Sequence, residues 1–176
     1  FLNKGAHFAS ITGEKLAESQ VTKAVDQTLG EMSLALTAFT LAPCWDDVLP
    51  YYTLLVERSD IPSEDSARRL LAGVEKSLCR LNSEYQSKRE TKRLGAVRLG
   101  WLPPGAWKEF CRKRLERSGG TLEQFKHPCL VNDCDFIANL PVEGQLVADD
   151  TSRIGASPLA AVEAPDTGVE GRRSAS

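Results

Sequence analysis

The chain has 176 residues, of which 41% are hydrophobic and 26% charged, and its formal net charge at pH 7 is −2. These proportions suit one ordinary soluble domain with a real core. They exclude a global electrostatic pull toward nucleic acid or an acidic membrane surface, and no apolar run reaches the roughly 20 residues needed to cross a bilayer. From His7 to Ile11 a short apolar-leaning run reads as a strand, ended by Thr12-Gly13. Val21, Val25, Leu29 and Met32 then recur at intervals of three and four, which predicts a helix from about Glu18 to Met32. Leu34 to Leu41 reads as a strand stopped by Pro43, and Ala42 to Pro50 as a loop.

Tyr51-Tyr52-Thr53-Leu54-Leu55-Val56 is rich in aromatic and branched residues, so it predicts a strand paired with the one before it. Ser63, ahead of Glu64 and Asp65, is a suitable N-cap. A long helix is expected to follow, burying Leu70, Val74, Leu78, Leu81 and Tyr85. Val97, Leu99 and Trp101 alternate with Arg98 and Gly100, as in a half-buried strand, and Pro103-Pro104-Gly105 breaks it. A last helix carries Trp107, Phe110, Cys111 and Leu115 on its inner face, with Gly119 placed to terminate it. Beyond Val142 the composition turns to Gly, Ala, Ser, Asp and Pro, which predicts a disordered tail over 144–176. The expected architecture is α+β, a two-layer sandwich of two to three helices on a small, mostly antiparallel sheet.

The five cysteines, Cys44, Cys79, Cys111, Cys129 and Cys134, form no C-x-x-C pair and have no histidine cluster beside them. They read as reduced thiols used as small apolar residues, which suits a cytoplasmic location. The basic clusters Lys88-Arg89, Lys92-Arg93 and Arg112-Lys113-Arg114 read as solvated helix faces. Trp101 and Trp107 fall on buried stripes, so core packing is favoured over a stacking platform for bases. Asp46-Asp47 lacks the further oxygen ligands of a calcium loop.

The feature richest in chemistry is Gly119-Gly120-Thr121-Leu122-Glu123-Gln124-Phe125-Lys126-His127-Pro128-Cys129, where a lysine stands between a glycine pair and a proline just after an amphipathic basic helix. A cation on such a turn is suited to meet an anion. His127, alone beside a proline, reads as a polar turn residue rather than an acid or base. Thr12, Gly13, Glu14 and Lys15 read equally well as a helix-starting turn and as a contact for a ligand.

Two segments resemble the Gretchen Hagen family, the auxin-responsive acyl acid amido synthetases of the adenylate-forming superfamily. Ser10-Ile11-Thr12-Gly13-Glu14-Lys15-Leu16-Ala17-Glu18 is similar to the family's Ser-Ile-x-x-x-Lys-x-x-Glu stretch after a hinge, and Gly119 to Cys129 resembles its Gly-x-Ser-x-x-Gln-Tyr-Lys-x-Pro-Arg. The Pro50 to Glu57 strand resembles the family's Pro-, Tyr- and Glu-bearing strand. Phe125 stands where the family has Tyr and Cys129 where it has Arg, so a hydroxyl and a guanidinium are missing.

The resemblance covers about Phe1 to Val142, and it implies the C-terminal domain of an ATP-dependent acid–amino acid ligase. In such an enzyme ATP and a carboxylic acid give an acyl adenylate, and an amine acceptor then displaces AMP. Residues 1–143 are accordingly expected to be a mobile lid, hinged near Lys4 and Gly5. Lys126 would be the catalytic cation facing phosphate, and Thr12, Gly13, Glu14 and Lys15 would contact the nucleotide or the acceptor. ATP with Mg would be bound mainly by an N-terminal adenylation domain of the same chain, of which this sequence, opening without Met at Phe1, reads as the continuation. No nucleic acid, membrane or protein-bound metal is expected as a partner, and the fragment alone is expected to be inactive. The rival reading is a regulatory or protein-binding module that keeps the fold and has lost the catalysis, and Cys129 favours it.

Overall fold

The computed structural model describes residues 8–118 and 126–148. A two-stranded antiparallel ribbon comes first, β1 (Phe8–Ala9) with β2 (Leu16–Ala17), and runs straight into α1 (Glu18–Met32). A four-stranded sheet follows in the order β3 (Phe39–Trp45), β4 (Pro50–Glu57), β5 (Arg98–Leu102), β6 (Gly144–Val147). The β3–β4 and β5–β6 pairs are antiparallel. The central β4–β5 pair is parallel, because the chain crosses over through α2 (Glu64–Leu81) and α3 (Ser83–Glu90). α4 (Ala106–Ser118) follows β5. The fold is therefore α+β with a mostly antiparallel sheet, as the element pattern predicts.

The period-two alternation of the strands sorts their side chains onto two faces. Leu41, Tyr52, Leu54, Val56, Leu99 and Leu146 join α1 and α2 in the main core, while Ala42, Leu55 and Leu102 turn to the other side and pack with Ala106 and Trp107 of α4. Helices α1 and α2 thus form the layer of the expected sandwich, and α4 closes the opposite face. The two helices of that layer approach closely: a methyl added at Gly73 would lie 2.4 Å from Thr28 Cγ2.

Four elements differ from the sequence expectation, each for an identifiable reason. The strand expected over Leu34–Leu41 starts later, at Phe39, and continues through Pro43 to Trp45. Ser33 ends α1 in the left-handed region (φ 53°), and the Thr37 N–H and hydroxyl are held by the Asp60 carboxylate, so residues 34–38 serve as a connector. Pro43 does not stop β3. The Leu41 N–H points off the outer edge of the sheet to the Cys129 carbonyl, and Pro43, two residues on, has its nitrogen on that same outer side. The loop therefore shrinks to the turn between Trp45 and Pro50.

The long helix of residues 64–85 is interrupted at Asn82, whose backbone is extended (φ −139°, ψ 105°) and whose side-chain oxygen accepts the Tyr85 N–H to start α3. The run from Gly144 to Val147, expected to begin the tail, is instead strand β6. It pairs with β5 through Trp101↔Gly144 to Arg98↔Val147 and buries Leu146 against the core. Residues 149–176 lie outside the described residues.

Candidate functional site

The turn that follows β1 is organised around a buried carboxylate. Glu14 is fully buried and accepts the Ile11 N–H at 2.8 Å, the Thr12 N–H at 2.8 Å, the Thr12 hydroxyl at 2.8 Å and the Tyr52 hydroxyl. Burial pushes the Glu14 carboxyl up, but the Tyr52 hydroxyl and the two backbone N–H bonds outweigh that and hold its pKa below the ordinary value. Gly13 (φ 98°) and Lys15 (φ 38°) take the left-handed geometry that turns the carboxylate inward, and both are exposed. Of the four turn residues expected to meet a ligand, Glu14 is thus engaged inside the protein with Thr12 bound to it, while Gly13 and Lys15 face outward. The carbonyls of Glu14 and Lys15 receive the Asn82 side-chain amide (3.0 and 3.3 Å), which ties this turn to the α2–α3 break.

The lysine segment lies along the outer edge of β3. Leu41 N–H donates to the Cys129 carbonyl (2.9 Å), and Val131 N–H donates to the Leu41 carbonyl (3.1 Å). The Thr40 hydroxyl donates to the Pro128 carbonyl at 2.7 Å, so its oxygen is left to accept from His127 Nε2, which also lies 3.1 Å from the Phe39 carbonyl. That arrangement assigns the proton to Nε2 in neutral His127. The ring sits edge-on to Trp107 (4.6 Å between centroids), and burial lowers its pKa, a shift the Phe39 carbonyl only partly offsets. His127 anchors the segment from below.

Lys126 is the residue just before these anchors. Its side chain is 79% exposed, and its Nζ lies 3.6 Å from Oε2 of Glu18, the first residue of α1. Glu18 Oε1 accepts the Cys129 N–H at 3.1 Å. A groove of about 640 Å³ beside them is lined by Phe8, Glu18, Ser19, Thr22, Lys23 and Lys126, among others. The expected hinge residues Lys4 and Gly5, and residues 119–125 upstream of Lys126, lie outside the described residues.

The model of the GH3 family C-terminal domain matches residues 19–135. The chain belongs to the GH3 family. Among solved structures, the GH3 domain is similar to a GH3.15 acyl acid amido synthetase, with 24% identity and a TM-score of 0.69, over 85% of this chain and 28% of that one. It is also similar to AtGH3.15 acyl acid amido synthetase in complex with 2,4-DB, with 25% identity and a TM-score of 0.66, over 81% of this chain and 26% of that one. The chain thus spans little more than a quarter of either structure. No curated protein sequence matches it.

The GH3 domain also has features that periodicity did not reveal. Glu18 touching both Lys126 and the Cys129 backbone is one, since more than a hundred residues separate them and only folding brings them together. Glu57 is another: it is 5% exposed and accepts the Gly105 N–H (2.8 Å) and the Trp107 N–H (2.9 Å), so a strand carboxylate caps the start of α4. All five cysteines are free. Among the described residues, no group of three or more His, Cys, Asp or Glu is arranged to hold a metal, and no helix is long and apolar enough to cross a membrane.

Proposed function

We propose that this GH3 domain is the mobile C-terminal lid of a cytoplasmic, ATP-dependent acyl acid amido synthetase, with Lys126 as its phosphate-facing cation. ATP, with Mg, and a carboxylic acid are the substrates of the first half-reaction, and an amine such as an amino acid is the acceptor of the second. The observation that carries the reading is the family match over residues 19–135, together with an exposed lysine on a segment pinned to the edge of β3. A rigid base under a long, flexible stem lets a point charge reach across a domain boundary. In a closed, water-poor site such a charge would offset the negative charge that builds on the α-phosphate as the carboxylate attacks. Gly13 and Lys15, exposed on the turn below β1, are the groups best placed to make further contacts when the lid rotates. ATP with Mg would be bound mainly by the larger N-terminal domain.

The test uses the full-length protein. Lys126→Ala should slow carboxylate-dependent pyrophosphate exchange by about 10- to 1,000-fold, the loss expected for one transition-state charge contact. Transfer from a preformed acyl adenylate should survive better. Equal losses in the two half-reactions, or no loss in either, would remove Lys126 from the chemistry. Cys129, standing where the family carries Arg, favours a second reading as a regulatory module. Absence of pyrophosphate exchange by the wild-type protein across a panel of carboxylic acids would select it.

A further inference from the structure

We infer that Glu18 is a positioning residue for Lys126: its carboxylate restrains the lysine stem over the start of α1 while its other oxygen fixes the loop backbone three residues further on. The inference rests on the role given to Lys126 above. Three observations carry it. First, the Glu18 side chain is only 13% exposed whereas that of Lys126 is 79% exposed, so the anion is held by the fold and the cation is the mobile partner. Second, the two oxygens of Glu18 divide their work, Oε1 accepting the Cys129 N–H at 3.1 Å and Oε2 lying 3.6 Å from Lys126 Nζ. Third, the segment after Lys126 is already pinned through His127, Pro128 and Cys129 to β3, so the freedom left to restrain is that of the lysine side chain itself.

At 3.6 Å the pair is an ion contact longer than a direct hydrogen bond, which spans about 2.7–3.2 Å. The ammonium donors are therefore not spent on Glu18. Restraint without full engagement is what a charge delivered to a ligand requires: the stem's rotamers are narrowed in advance, and little is given up when Nζ moves to phosphate. Glu18 also stands in the first turn of α1, where a negative side chain complements the positive end of the helix dipole.

Glu18→Gln in the full-length protein isolates the charge, because the amide oxygen still accepts the Cys129 N–H. It should slow pyrophosphate exchange about two- to fivefold, the range of an exposed ion pair, and leave acyl transfer from a preformed adenylate and the melting temperature unchanged. In a Lys126→Ala background the same substitution should have no further effect. The wild-type to Glu18→Gln ratio should approach one near 1 M salt, where the Debye length shrinks to about 3 Å. Glu18→Ala, which also frees the Cys129 N–H, should cost more. A Glu18→Gln variant as fast as wild type or faster, or one whose loss persists in the Lys126→Ala background, overturns the positioning role while leaving Lys126 in place. A Lys126→Ala variant that loses nothing removes both Lys126 and Glu18.

Discussion

Strand β6 gives the sharpest test of how this domain is held together, because composition places residues 144–147 in a tail and the fold places them in the sheet. Truncation after Glu143 is compared with truncation after Ala148, so that only β6 and one neighbour differ. Ordering four residues costs roughly 1–2 kcal/mol each, and ladder hydrogen bonds return roughly 0.5–1.5 kcal/mol each. The backbone terms nearly offset, and side-chain burial decides the sign. Leu146 is 9% exposed and pairs with Leu99, which is fully buried, while Gly144 pairs with Trp101, 7% exposed. Burying Leu146 contributes about 2 kcal/mol, and stripping the cover from Leu99 and Trp101 adds to the loss. A change of 2–3 kcal/mol in a domain of this size shifts the melting temperature by about 6–12 °C. Circular dichroism melts of the two truncations should differ by that much, and Leu146→Ala in the intact chain should account for most of the difference. Equal melting temperatures for the two truncations would show that β6 adds nothing and that the burial argument fails.

Three further outcomes follow from buried polar and packing details. Glu14 has a depressed pKa, so its carboxylate stabilises the fold fully above its unfolded value of about 4.5 and loses that contribution as pH falls through the lower folded value. Glu14→Gln should therefore cost about 2–4 kcal/mol at pH 7 and flatten the acid limb of stability against pH; an unchanged acid limb would refute the assignment. Gly73→Ala should destabilise the α1–α2 contact by about 1–3 kcal/mol because the added methyl meets Thr28, and Thr28→Ala should rescue most of it, as read by urea titration. Glu57→Ala should cost about 2 kcal/mol by leaving the Gly105 and Trp107 N–H groups unpaired, with loss of the near-ultraviolet Trp107 signal ahead of global unfolding.

The sequence by itself determined α1, whose three- and four-residue spacing matches Glu18–Met32, and the Ser63 N-cap, whose hydroxyl accepts the Ser66 N–H at 3.1 Å. These are local matters: one face of a helix and one cap are written in neighbouring residues. The family could also be named from sequence, because its segments are contiguous motifs, as was the position of Lys126 within one of them.

What only the tertiary structure decided depends on partners distant in the chain. Pro43 is tolerated because β3 is an edge strand whose outer side meets Cys129 and Val131, and no window around Pro43 carries that fact. Asn82 breaks a helix whose apolar stripe runs on to Tyr85, because its amide is drawn to the carbonyls of Glu14 and Lys15. β6 gains order because Leu146 is buried at an open sheet edge, a partner that the Gly-, Ala-, Ser-, Asp- and Pro-bearing stretch beyond Val142 does not signal. Glu18 and Lys126 meet only because the fold brings the start of α1 beside the segment that runs along the outer edge of β3, more than a hundred residues further along the chain.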